Sequence, residues 1–141
     1  MRKLVFAFAL CLGLTACEIH TSDNGDFDGM WQLTTVDSLA TGRQTDMRSS
    51  GEYWAVQVHL LEVRNTKGSH NSYVFRFRLK GDSLKLCSPY IGEADELPEL
   101  DVTELQPYYI DSVGQGFRVH TLNSDRMVLD KEEVRLSFRK Y

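Results

Sequence analysis

Tyr73-Val74-Phe75-Arg76-Phe77-Arg78-Leu79-Lys80 alternates ring or aliphatic residues with basic ones almost without exception. Successive side chains of a β-strand point to opposite faces, so Tyr73, Phe75, Phe77 and Leu79 share one face while Arg76, Arg78 and Lys80 take the other. This is the pattern of a strand with one side in a core and one in water. The same period of two recurs on both sides of it. Trp54, Val56, Val58 and Leu60 fall on one face, with Gln57 and His59 outward. Leu84 and Leu86 oppose Ser83 and Lys85 after a Gly81-Asp82 turn of hairpin type. Phe117 and Val119 oppose Arg118 and His120, and Val134, Leu136 and Phe138 oppose Arg135, Ser137 and Arg139. Residues 27–36 and 126–129 complete seven predicted strands, and an eighth is expected between residues 90 and 110.

No amphipathic helix of ordinary length accompanies these strands, although residues 95–105 can give one short turn. Many short antiparallel strands without helices make a sandwich or a barrel. Outward faces rich in solvated Arg and Lys, and closure without disulfides, favour the barrel, which leaves no edge to aggregate. The expected fold class is therefore all-β, a single antiparallel up-and-down barrel of about eight strands.

The composition agrees with one globular domain. The chain has 141 residues, 42% hydrophobic and 26% charged, which excludes a disordered tail, a collagen-like fibre and a disulfide-dense mini-protein. A net charge of −4 repels phosphate backbones, so nucleic acid is not an expected partner.

The first residues carry an address. Met1-Arg2-Lys3 is a short positive start, an apolar run from Leu4 to Leu14 follows, and Leu14-Thr15-Ala16-Cys17 closes it. The layout is that of a secretory leader, with an apolar run about half the ~20 residues needed to span a bilayer. Its end resembles the bacterial lipobox, which implies that Cys17 takes a diacylglycerol and becomes the first residue after cleavage. Residues 1–16 are then the lipoprotein signal peptide, 17–25 a flexible tether of small polar residues and 26–141 the barrel domain. Cys11 leaves with the leader and Cys17 is lipidated, so Cys87 is the remaining thiol and no intramolecular disulfide is expected. The expected location is the bacterial cell envelope, lipid-anchored on the periplasmic or the surface face.

Phe27-Asp28-Gly29-Met30-Trp31 looks like the Gly-x-Trp signature that opens lipocalins. Leu105-Gln106-Pro107-Tyr108, the stretch Leu122-Asn123-Ser124-Asp125-Arg126-Met127-Val128-Leu129 and the final Val134-Arg135-Leu136-Ser137-Phe138-Arg139-Lys140-Tyr141 extend the likeness. Over residues 26–141 the chain resembles the small lipocalin-like lipoproteins of Bacteroidetes, a calycin-like barrel family without assigned biochemistry. The chain lacks the Thr-Asp-Tyr motif of true lipocalins, their length and a helix after the last strand. The resemblance implies barrel closure by a basic residue of the last strand lying across the Trp31 ring. Lys140 is in phase with Phe138, but the planar guanidinium of Arg139 stacks better, so Arg139 is preferred with a small bulge to reorient it.

Chemical motifs are sparse. No Gly-x-Ser-x-Gly elbow, His-Glu-x-x-His, Cys-x-x-Cys or Gly-rich phosphate loop is present, and His20, His59, His70 and His120 are isolated in sequence. No catalytic residue, metal ligand or cofactor is expected, and the chain is read as a non-enzyme. Leu86-Cys87-Ser88-Pro89 supplies neither a base nor a cation to activate Cys87. Trp31, Trp54, Tyr73, Phe75, Phe77, Phe117 and Phe138 are all in phase with their strands' apolar faces, so the barrel is either filled by rings or holds a pocket near one mouth. Such a pocket is expected to involve Trp54, Tyr73 and Tyr108. Glu93, Asp95, Glu96, Glu99, Asp101 and Glu104 form an acidic stretch with no base, read either as a solvated loop or as a mobile flap over one mouth, spanning residues 93–110.

Two functional readings remain at this point. One is a lipid-anchored binder of a small apolar or amphipathic molecule. The other is a solid barrel that works as an interaction module, an inhibitor or accessory subunit of an envelope complex.

Overall fold

The computed structural model describes residues 23–89 and 101–141. The leader, Cys17 and most of the tether lie outside the described residues, as does the acidic stretch up to residue 100. Nine strands form one antiparallel sheet: β1 (Gly29–Ser38), β2 (Gln44–Asp46), β3 (Glu52–Gln57), β4 (Leu60–Asn65), β5 (Tyr73–Lys80), β6 (Ser83–Pro89), β7 (Gly116–Leu122), β8 (Arg126–Lys131) and β9 (Val134–Lys140). Strands β3 to β9 follow in order, and β9 returns to pair with β1, which closes an eight-stranded barrel. The expected up-and-down antiparallel barrel is the observed one.

Closure depends on one extra residue. Leu33 stands opposite Phe138 and Thr35 opposite Ser137, so Thr34 is a bulge whose Oγ1 donates to the Ser137 carbonyl at 2.9 Å. A bulge bends a strand and shifts its side-chain parity. Trp31 and Leu33 face the core before it and Val36 after it. The bend also divides one edge of β1 between two partners, β3 along residues 29–32 and the short β2 along residues 35–37.

The chain turns where the sequence pattern reads straight on. Residues 54–60 are not one strand: β3 ends at Gln57, Val58 and His59 make a two-residue turn, and Leu60 opens β4 with the opposite facing. The turn carries no Gly or Asn. Its first residue, Val58, adopts a left-handed φ of 55° at a position where Gly is usual. The Val58 carbonyl accepts from Asn24 Nδ2 at 2.7 Å, which ties the start of the domain to this turn. The eighth barrel strand is therefore β4, and residues 102–108, where a strand was expected, form a 3-10 helix.

The interior is filled. Trp54 is 1% exposed, with its ring 5.5 Å from Phe117 and 5.0 Å from Phe138. Leu61, Val63, Phe75, Leu84, Leu86, Met127, Leu129 and Leu136 complete the same cluster.

Candidate functional site

The two ends of the barrel are built differently. At one end, β3 begins at Glu52 and β8 finishes at Lys131, and the 3-10 helix Val102–Tyr108 lies over them. Asp101 caps this helix by accepting from the Thr103 amide at 3.0 Å, and Leu105, Tyr108 and Ile110 enter the barrel core. The Tyr108 hydroxyl donates to the Asn71 carbonyl at 2.7 Å, and Tyr73 donates to Glu104. Lys131 Nζ donates to the Tyr109 carbonyl at 2.8 Å and pairs with Asp111 at 2.5 Å, which holds the residues after the helix. The described part of the expected flap thus has its apolar underside sunk in the core.

Beneath this cap sits a buried acid. Glu52 is in phase with Trp54 and Val56, so its side chain faces inward and is 5% exposed. Its Oε1 lies 3.9 Å from His70 Nε2, and among the described residues Oε2 is the one buried side-chain polar atom with no hydrogen-bond partner. Removal from water disfavours the charged form, which pushes the Glu52 carboxyl up to about 7. Burial also pushes the Tyr108 phenol up to about 12, and the Glu52 charge adds to the rise.

The three residues expected to line a pocket join one apolar cluster, with Trp54 and Tyr108 inside it and Tyr73 packed against it.

At the amino-terminal end, residues 25–27 form a single 3-10 turn that delivers Phe27 into the core, edge to face with Phe77 at 5.2 Å. Trp31 Nε1 donates to the Phe27 carbonyl at 2.9 Å. Lys140 Nζ lies 4.7 Å from the centroid of the Trp31 ring and donates to the Asp26 carbonyl at 2.8 Å. The preference for Arg139 is corrected here. The bulge falls on β1 and not on β9, so strand parity keeps Lys140 opposite Trp31, while Arg139 stands opposite Gln32 and donates to its Oε1 at 3.0 Å.

Beside this end, the outer wall carries a groove of about 640 Å³. Val58, Leu60, Phe77 and Cys87 provide its apolar lining, and His59, Arg76 and Arg78 its basic one. A smaller hollow of about 280 Å³ lies across Leu60, between Ala55, Gln57, Glu62 and Val74. A third hollow, about 680 Å³ beside the β1 bulge, is lined mainly by polar groups of both charges, among them Asp37, Arg48, Asp125 and Arg126. The 640 Å³ groove joins an apolar lining to several basic groups, whereas the 280 Å³ hollow carries the single charge of Glu62. Its size is within the ~300–1,000 Å³ typical of small-molecule sites.

The groove was not legible in the alternation, because it needs the turn at Val58 to bring β3 and β4 against β5. Glu52 could have been found: a carboxylate two residues before Trp54 and four before Val56 is an acid on a buried face. Among the described residues no group of three or more His, Cys, Asp or Glu is placed to hold a metal, and no helix is long and apolar enough to cross a membrane.

An eight-stranded antiparallel barrel closed on itself, with a Gly-x-Trp tryptophan under a basic residue of the last strand, defines a lipocalin-like protein. Residues 11–141 match the lipocalin-like domain family, and the chain belongs to it. A lipocalin-like protein from Bacteroides uniformis superposes with a TM-score of 0.63 at 18% identity, covering 83% of this chain and all of its own. An uncharacterized protein from Bacteroides eggerthii gives 0.61 at 20% identity, covering 81% of this chain and 98% of its own. A Burkholderia xenovorans protein gives 0.53 at 13% identity, covering 81% of this chain and 82% of its own. Comparison with curated proteins finds no match.

Proposed function

We propose that this protein is a lipid-anchored binder of a small amphipathic molecule in the cell envelope, and that the molecule lies in the groove beside the β3–β4 turn rather than inside the barrel. The single observation that carries this reading is the pairing of an apolar lining from Val58, Leu60 and Phe77 with the basic His59, Arg76 and Arg78. Apolar burial supplies the affinity and a few charges fix the orientation. The filled interior supports placing the ligand outside, since Trp54 is enclosed by Phe117 and Phe138. The lipobox at Leu14-Thr15-Ala16-Cys17 supports the anchor. No catalytic step, cofactor or metal enters this reading.

Titration with dansyl-undecanoate, a fluorescent amphipath, tests it. Saturable binding is expected, weakened about ten-fold by Leu60→Gln, which removes about 1.5 kcal/mol of apolar contact, and left unchanged by Trp54→Phe. Sensitivity to Trp54→Phe with none to Leu60→Gln would move the site back to the interior. The filled interior also favours a second reading, a solid barrel acting as an interaction module, and absence of any saturable binding would select it. The anchor is tested separately: Cys17→Ala should abolish labelling by a fatty-acid analogue and release the chain from membranes.

A further inference from the structure

We propose that the outer wall formed by β5, β6 and β7 is a docking surface for an anionic lipid layer, the membrane in which the protein's own anchor sits. These three strands carry Arg76, Arg78, Lys80, Lys85 and Arg118 and not one Asp or Glu. All five side chains are exposed. The register concentrates them, since Lys85 stands directly opposite Arg78, and Ser83 joins Lys80 on one side to Arg118 on the other. Like charges facing each other across strands destabilise a sheet. Elsewhere four cations have a carboxylate partner: Arg48 pairs with Asp46, Arg64 with Glu62, Lys131 with Asp111 and Arg135 with Asp130. On this wall no described carboxylate lies within ion-pair distance of Arg78, Lys80, Lys85 or Arg118, although Asp82 occupies the β5–β6 turn and Asp130 stands opposite Arg118 on β8. Cations stacked in register on three strands that carry no carboxylate of their own present a basic face to an external anion.

Two further observations point to a lipid layer rather than a soluble anion. The apolar groove at Val58 and Leu60 opens onto the same wall through Arg76 and Arg78, so the surface is amphipathic and not merely basic. The chain also arrives at this edge, because Asn24 is bonded to the Val58 carbonyl. Five residues lie between Cys17 and Asp23, a reach of about 20 Å when extended, which keeps the wall close to a membrane holding a lipid on Cys17. One acyl signal combined with a basic surface is a two-part anchor, stronger than either part. The inference rests on the Cys17 anchor and shares Arg76 and Arg78 with the groove, but it does not require the groove to be occupied.

Vesicle sedimentation tests it with the chain from residue 17 carrying Cys17→Ala, so that no lipid contributes. The described core comes from residues 27–138 and β9 closes on β1, so this chain carries everything the barrel is built from. Binding is expected to phosphatidylcholine vesicles containing phosphatidylglycerol and not to phosphatidylcholine alone, and to fade as salt rises. The combined variant Arg78→Gln, Lys80→Gln, Lys85→Gln and Arg118→Gln should lose roughly five-fold in partitioning per cation removed. It should unfold no earlier than the parent, because it removes repulsion. The control Arg43→Gln, Arg48→Gln and Lys67→Gln, away from this wall, should bind as the parent does. Equal binding to both vesicle types, no binding to either, or an equal loss in the control overturns the proposal. Vesicle binding that persists while dansyl-undecanoate fails to bind would remove the groove reading and leave this one standing.

Discussion

At the capped end, Leu105, Tyr108 and Ile110 fill the barrel mouth and three buried polar residues, Glu52, Asn65 and Lys131, organise the loops around them. At the amino-terminal end, Phe27 alone is delivered inward, and closure rests on Lys140 across Trp31 and on a strained turn at Val58. Phe77, Leu79 and Leu122 are partly enclosed there, as Tyr73, Tyr109 and Val134 are at the capped end. The contrast teaches where each end spends its chemistry. The capped end puts large rings into stability and tolerates a buried carboxyl with one oxygen lacking a hydrogen-bond partner, whereas the amino-terminal end leaves apolar and basic groups at the surface.

Truncation at the cap should show the largest effect. Tyr108→Ala removes a ring 1% exposed together with its bond to Asn71, and is expected to cost about 3–5 kcal/mol in urea unfolding while leaving dansyl-undecanoate affinity unchanged. A cost below about 1 kcal/mol would show the cap to be an accessory, and the contrast between the ends would collapse.

Glu52 sharpens the same contrast through pH. Its carboxyl titrates at about 7 in the folded chain, above its ordinary value of 4.5, so the folded state holds the proton that the unfolded state releases. Stability should therefore fall as pH rises from about 4.5 to 7, by up to about 3 kcal/mol, and then level off. Glu52→Gln, which stays neutral, should be the more stable protein at pH 8 and should show no such slope. A Glu52→Gln protein that follows the parent's pH profile would assign the slope to other groups.

At the other end, Lys140→Ala should cost about 1–2 kcal/mol, from the contact with Trp31 and the bond to Asp26. Arg139→Ala, at an exposed side chain, should stay within about 0.5 kcal/mol. The reverse order in thermal unfolding would restore Arg139 as the closing residue.

The smallest expected change has the opposite sign. Val58→Gly relieves a β-branched residue of a left-handed φ, and should stabilise by about 1 kcal/mol while weakening dansyl-undecanoate through loss of an apolar wall. If Val58→Gly destabilises instead, the bond from Asn24 and the packing of Val58 outweigh the strain.

Much of the barrel was legible because burial on one face only leaves a period of two in the sequence. The alternation of residues 73–80 places Phe75 inward and Arg76 and Arg78 outward, as found, and the Gly81-Asp82 turn stands where its glycine marks it. Residues 54–60 mislead for a stated reason: the turn lacks Gly, and Val58 continues the apolar rhythm while the backbone reverses. β2 is equally silent, three exposed residues paired to β1 because the Thr34 bulge turns β1 away from β3.

The sequence by itself determined that this chain makes antiparallel strands and, from their alternation, that residues such as Trp54, Phe75, Phe117 and Phe138 face a common interior, while the base over Trp31 was implied by the family resemblance. Tertiary structure decided the rest. Which base covers Trp31 depended on which strand carried the bulge, the filling of the mouth depended on a helix whose residues read locally as a loop, and the groove and the all-basic wall exist only because hydrogen-bond register sets β4, β5, β6 and β7 side by side. Register is a long-range property, fixed by the closure of the whole barrel, and no single strand contains it.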